Sequence, residues 1–225
     1  MTTPFDIAYL HPGTVHTVFA DSLTETIRAY PKTKALPMSA KRLVLNKNVA
    51  TNWWLNNSTT DWLLWIDQDM GWEPEDIQHL LDTAEEKGPA VISALCFGYM
   101  NGQIYPGFFV ERDGNRLKAV VNQYMQYPKD EAFEVDGTGG GFMLLHRNIF
   151  QAMYNEPHLE GYPYFYAQME NGKPHGYAQF FCKLATDLGF KIWIEPRAEV
   201  KHHQDIPLTS YMYDRWWGRT DDGSN

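Results

Sequence analysis

Apolar and polar positions fall into blocks along this chain, and the blocks change character near its middle. Phe5 to Leu10 is a short apolar run ended by His11-Pro12-Gly13, a turn signal. A helix is predicted from about Val15 to Tyr30, then an irregular connection from Tyr30 to Pro37. Ser39 stands as the cap of a long helix reaching Asn57, with Leu43, Val44, Val49, Ala50, Trp53 and Trp54 as its apolar stripe. Trp62-Leu63-Leu64-Trp65-Ile66 is a continuous apolar run between polar flanks, which suits a central strand buried on both faces. Pro74 opens a helix burying Ile77, Leu80, Leu81 and Ala84, and Gly88-Pro89 stops it. Ala90 to Leu95 is the next strand.

This alternation predicts an α/β fold with a parallel sheet. Later runs are shorter. Gly107 to Val110, Leu117 to Val121 and Phe142 to Leu145 read as strands separated by turns such as Asp113-Gly114-Asn115. A helix follows Arg147, another covers Tyr177 to Leu188, and Phe190 to Ile194 is the last clear strand. From Pro207 the chain is polar and aromatic, with a frayed end expected at Thr220 to Asn225. No repeat, low-complexity tract or long linker divides the sequence, so its 225 residues are expected to form one domain.

Composition narrows the function classes. A net charge of −9 and a pI near 5.3 argue against a broad electrostatic surface for nucleic acid or anionic lipid. A local basic pocket for one phosphate group stays compatible with that balance. The N-terminus lacks a basic start and apolar run, and no stretch approaches the roughly 18–20 apolar residues that span a bilayer. Cys96 and Cys182 both lie in apolar sequence, where a buried free thiol is the usual state. The expectation is a cytoplasmic protein with no membrane span.

The strongest chemical signal is Asp67-Gln68-Asp69, directly after the apolar run and just before a Pro-started helix. On a strand, alternate side chains share a face, so Asp67 and Asp69 are expected to project together past its carboxyl end, where open α/β sheets bind ligands. Two adjacent carboxylates repel unless a cation neutralises them. A hard divalent ion bridged to a diphosphate does so.

Asp61 through Pro74 resembles the DxD region of GT-A glycosyltransferases. The resemblance is closest to small glycosyltransferase-like proteins of actinobacteriophages and their hosts, which are glycosyltransferase family 2-like. Leu95-Cys96-Phe97 matches that group's "LCF", and Asn46-Lys47-Asn48 falls where it usually has Ala-Arg-Asn. Lys47 keeps the charge without the bidentate geometry. Asp136 through Arg147 resembles its Gly-rich turn entering a strand, and Gly176 through His202 its closing helix–strand–His element. The similarity runs from Ala8 to about His203.

The resemblance implies a GT-A (Rossmann-like) fold: a central, mostly parallel sheet flanked by helices, with a smaller antiparallel acceptor-side part. Residues from about 1 to 100 would form the nucleotide-sugar half, 101 to 206 the acceptor and catalytic half, and 207 to 225 a C-terminal lid around Tyr211 to Trp217. It implies Mn²⁺ or Mg²⁺ held by Asp67, Asp69 and His202, with His203 the fallback. His11, Pro12, Lys47, Gln68 and Gly140 join the DxD acids as donor-binding positions. It implies a UDP- or GDP-linked sugar as donor and leaves the acceptor open among a protein side chain, a glycan, a lipid and a modified nucleic acid, the last two disfavoured by the acidic surface. Relatives carry Glu-Asp about four residues before Phe-Cys, where the acid serves as general base in inverting members. This chain has Tyr177-Ala178 there, so Asp136 and Glu170 are replacement candidates beside Asp69. Tyr162, Tyr164, Phe165, Tyr166, Trp216 and Trp217 could stack on sugars, though most are expected in the core. Two other readings stay open. One is a silent nucleotide-sugar-binding module, and the other a nucleotidyltransferase, which usually carries a basic Gly-rich loop that His11 to Ala20 lacks.

Overall fold

The computed structural model describes residues 3–100, 103–110, 127–156, 163–170 and 173–205. Its elements in chain order are β1 (Phe5–His11), α1 (Thr17–Ala29), β2 (Ala35–Ser39), α2 (Leu43–Asn57), β3 (Trp62–Asp67), β4 (Met70–Gly71) and α3 (Pro74–Lys87). Then come β5 (Val91–Ala94), β6 (Phe97–Met100), β7 (Gln103–Pro106), β8 (Phe108–Phe109), β9 (Phe133–Val135), β10 (Gly137–Thr138), β11 (Phe142–His146) and α4 (Arg147–Tyr154). The last are β12 (Gln168–Glu170), β13 (Lys173–His175), α5 (Tyr177–Asp187), β14 (Ile192–Glu195) and β15 (Lys201–His202).

A seven-stranded sheet in the order β2-β1-β3-β11-β5-β14-β9 forms the centre. β2, β1, β3, β5 and β14 run one way, while β11 and β9 run against them. The apolar run of β3 is buried throughout, as a strand covered on both faces must be. One core layer packs Trp54, Trp65, Phe150, Phe165 and Phe181, and the other packs Phe19, Trp72, Ile77, Leu80 and Phe142. Four two-stranded antiparallel pairs lie outside the seven-stranded sheet among the described residues: β6–β7, β8–β10, β12–β13 and β4–β15.

Two expectations need correction. The connection from Tyr30 to Pro37 contains strand β2, which pairs with β1 from Ala35 to Ser39. An edge strand tolerates Pro37, whose missing N–H costs a ladder bond only on the open side. The expected strand at Phe142 to Leu145 is present as β11 and lies between β3 and β5 in the main sheet. The apolar stripe expected on α2 is also rotated. Leu43, Val49 and Trp53 are exposed, whereas Lys47, Asn48, Ala50, Thr51 and Trp54 face inward. Asn48 can be buried because Oδ1 accepts from the backbone N–H of Tyr164 and Phe165, and Nδ2 donates to Phe165 O. The segments 111–126, 157–162 and 206–225 lie outside the described residues. With them lie the Asp113-Gly114-Asn115 turn, the strand at Leu117 to Val121, Tyr162, and the lid with Trp216 and Trp217.

Candidate active site

The parallel strands end together on one edge, where Leu10 of β1 stands opposite Asp67 of β3. The chain leaves the strand at Asp67, and Gln68-Asp69 form a turn before β4. The alternation argument therefore stops at Asp67, and Asp69 is placed by other contacts. Its carbonyl accepts from His203 N at 2.9 Å, because β15 pairs with β4 and sets His202 opposite Met70. That pairing brings His202 Nε2 to 3.4 Å from Asp69 Oδ2. The other ring nitrogen, Nδ1, lies 2.9 Å from Phe97 O. Only a protonated Nδ1 can bond a carbonyl, so this contact fixes the ring's orientation and tautomer.

The Gly-rich segment forms the far wall. Asp67 N donates to Gly141 O at 2.9 Å, and Gly139 N to Gly107 O at 2.7 Å. Gly140 has φ +88°, and a Cβ there would meet the Ala178 methyl at 2.9 Å, so only glycine lets this loop lie against α5. The consequence is that α5 delivers Tyr177 and Ala178, not carboxylates, beside the loop.

Lys47 reaches the site from beneath. Its ammonium is fully buried, lacks a hydrogen-bond partner among the described residues, and sits 3.9 Å from Asp67 Oδ1. The rings of Trp65, Tyr177 and Phe165 surround it at 4.2, 4.9 and 5.5 Å from their centroids. Burial pushes the lysine pKa down, opposed by the charge of Asp67. Burial also pushes Asp67 up, opposed by Lys47 and reinforced by Asp69. For Asp69 burial works against ionisation, but the hydrogen bond and charge of His202 outweigh it and hold the carboxyl below its usual range. His202 is raised in turn, chiefly by its bond to Asp69. The Tyr177 hydroxyl is pushed far up by burial and by the two carboxylates, so it is a neutral donor. Burial and the same two charges push the Cys96 thiol up to about 12.

A cleft of about 720 Å³ opens beside these groups, lined in part by Thr14, His16, Gln68, Asp69 and His203. His16 N donates to Gln68 O at 3.2 Å, and its ring stacks on His203 at 4.8 Å. His203 thus faces His16, while His202 faces Asp69. His11 closes β1 at the same sheet edge, opposite Ser39, and Pro12 follows it, exposed. Asp136 lies between β9 and β10, its backbone N–H bound to Phe109 O at the base of the Gly-rich segment. Glu170 ends β12, and its side chain lies outside the described residues. Among the described residues, no group of three or more His, Cys, Asp and Glu stands ready to hold a metal ion. Sequence reasoning missed His16 and the closeness of Tyr177 to the carboxylates; no periodicity marks either one.

The fold is that of a GT-A glycosyltransferase. It is similar to A197 from STIV, with a TM-score of 0.54 at 12% identity over 91% of this chain and 96% of that one. It is also similar to a crystal structure of GalNAc-T7 with UDP, GalNAc and Mn2+, with a TM-score of 0.55 at 12% identity. That match covers 91% of this chain but 44% of the other. The model of Glycosyl transferase family 2 matches residues 21–153, and the chain belongs to that family. No curated protein matches the sequence. Among the described residues no helix is long and apolar enough to cross a membrane, and Cys96 and Cys182 are free thiols.

Proposed function

We propose that this chain transfers a sugar from a UDP- or GDP-linked donor to an acceptor hydroxyl, with Mn²⁺ or Mg²⁺ held at Asp69 and His202. The observation that carries the reading is His202 Nε2 lying 3.4 Å from Asp69 Oδ2 while Nδ1 is committed to Phe97 O. With Nδ1 committed to the backbone carbonyl, the outer partner that metal-binding histidines use, a metal would take the place of the Nε2 proton that bonds Asp69. A carboxylate and an imidazole together suit a divalent first-row ion, and donor oxygens can complete its shell. Bound there, the ion supplies Lewis-acid stabilisation of charge on the departing nucleotide.

The remaining roles belong to the protein's own groups. Asp67 faces the ribose or a water of the metal shell, its ionised form favoured by Lys47 at 3.9 Å. Lys47 acts through Asp67, since its buried ammonium is walled off by three rings. His11 and Pro12 border the base, Gln68 lines the cleft, and the Gly140 turn lets backbone approach the sugar. Tyr177, neutral and close to both acids, donates a hydrogen bond and takes no proton. A base for the acceptor hydroxyl then comes from Asp136 or Glu170, or a retaining reaction dispenses with one.

The absence of a carboxylate at Tyr177-Ala178 favours one competing reading, a module that binds the nucleotide sugar without turning it over. Hydrolysis of UDP- and GDP-sugars with Mn²⁺, compared between wild type and His202→Ala, separates the two. Slow metal-dependent release of nucleotide, lost in the variant, supports the enzyme. Metal-dependent binding without release supports the module.

A further inference from the structure

A second cavity, of about 710 Å³, opens away from the DxD cleft between α2 and α4. Asn52, Leu55 and Asn56, at i, i+3 and i+4 of α2, line one side, and Gln151 and Tyr154 of α4 with Asn155 at its C-cap line the other. That spacing puts three side chains on one helical face. Tyr164 closes the floor, itself buried.

The position is set by Arg147, which starts α4 directly after His146, the residue paired with Trp62 at the start of β3. Asp67 ends the same strand, so the two sites lie at opposite ends of it, roughly 16 Å apart at about 3.3 Å per residue. Tyr164 of the lining packs edge-on against Phe150, which packs in turn against Trp54.

Among the described residues the lining lacks an available charge. Arg147, the one ionisable group at neutral pH, has its guanidinium committed to Leu55 O at 2.9 Å, Ser58 O at 2.7 Å and Thr60 O at 2.8 Å. Its plane also lies 4.3 Å over Trp54. What remains is four carboxamides, of which Asn56 already donates to Asn52 O at 2.7 Å, and the Tyr154 ring, 66% exposed. Hydroxyl groups, like carboxamides, are donors and acceptors, so carboxamides match them without charge. An exposed aromatic ring offers an apolar face to the C–H face of a sugar. A phosphate or carboxylate ligand would meet no free cation here.

We propose that this cavity binds an uncharged carbohydrate chain, holding a neutral glycan at a site separate from the DxD cleft. The inference rests on the α2–α4 lining alone and does not depend on the transfer reaction. To test it, the full chain is titrated by calorimetry with maltotriose, cellotriose, chitotriose and mannotriose, and with glucose 6-phosphate as the charged control. Wild type is compared with Tyr154→Ala, Gln151→Ala and Asp69→Ala, their folding checked by circular dichroism. The expected result is binding of at least one neutral trisaccharide, weakened roughly tenfold by Tyr154→Ala through loss of one stacking ring. Gln151→Ala should weaken it too, and Asp69→Ala should leave it unchanged. The inference is overturned if no neutral saccharide binds, or if the charged sugar binds better. It is equally overturned if binding follows Asp69 and not Tyr154. Self-association of the chain that Tyr154→Ala abolishes would mark the face as a protein interface and overturn it as well.

Discussion

Replacing Lys47 by Met separates the folding role of this residue from its electrostatic one. Met preserves most of the side chain's length and its packing against Trp65, Phe165 and Tyr177 but removes the ammonium. At 3.9 Å the pair attracts by roughly 4 kcal/mol at an effective dielectric of about 20. Asp67 is 37% exposed, so solvent screening reduces that to about 1–3 kcal/mol. In the native protein this attraction opposes burial and Asp69, both of which push Asp67 towards its neutral form. Without Lys47 a larger fraction of Asp67 is protonated near neutral pH, and nucleotide affinity should fall about 10- to 100-fold, the equivalent of ~1.4–2.8 kcal/mol. Folding stability should move the other way or stay level. A buried ammonium without a hydrogen bond costs several kcal/mol to desolvate, and apolar replacements of buried ion pairs are often neutral or stabilising. Calorimetric nucleotide titration and urea unfolding of the same variant read the two effects. Unchanged affinity with lower stability would refute the reasoning and make Lys47 a structural residue only.

Further outcomes follow from the packing and the charges. Gly140→Ala forces a side chain into positive φ and within 2.9 Å of the Ala178 methyl; it should lower unfolding free energy by at least about 1–3 kcal/mol in urea melts. Asp6→Ala removes an acceptor shared by Trp54 Nε1 at 3.1 Å, Thr60 Oγ1 at 3.1 Å, Lys34 N at 3.0 Å and Ser58 Oγ; about 2–4 kcal/mol should be lost by the same measure. For Glu195, burial raises the pKa, but Arg197 and Thr83 outweigh it, so the folded value lies below the ordinary 4.5. Its contribution is therefore present above that ordinary value and disappears as pH falls through the lower folded one. Glu195→Gln should flatten the acid limb of the stability profile in that window and leave the pH dependence above it unchanged.

How far the sequence reached depended on what each residue had to do locally. The run Trp62 to Ile66 announced β3 because a strand buried on both faces admits no polar position, and Pro74 fixed the start of α3. Strand β2 escaped because an edge strand needs neither an apolar run nor every N–H, so Pro37 read as a break. The insertion of β11 between β3 and β5 was not legible, since an apolar run reports burial but not neighbours. On α2 the pattern misled: a buried Lys47 and Asn48 are stabilised by Asp67 and by the Tyr164–Phe165 backbone, partners 20 and more than 100 positions away. At the site, Asp67 was readable from its place after the run. The meeting of Asp69 with His202 depends on the two-residue ladder between β4 and β15, which no local signal encodes. Family resemblance supplied His202.

In the proposed reaction Asp69 and His202 hold a divalent ion on a nucleotide diphosphate. Its most direct test is calorimetric titration of the chain with UDP and with GDP, each with and without Mn²⁺, repeated on Asp69→Ala. The account predicts that one nucleotide binds with Mn²⁺ present, at least about tenfold more weakly without it, and not measurably to the variant. Failure of both nucleotides to bind under any condition, or equal binding to Asp69→Ala, would contradict it.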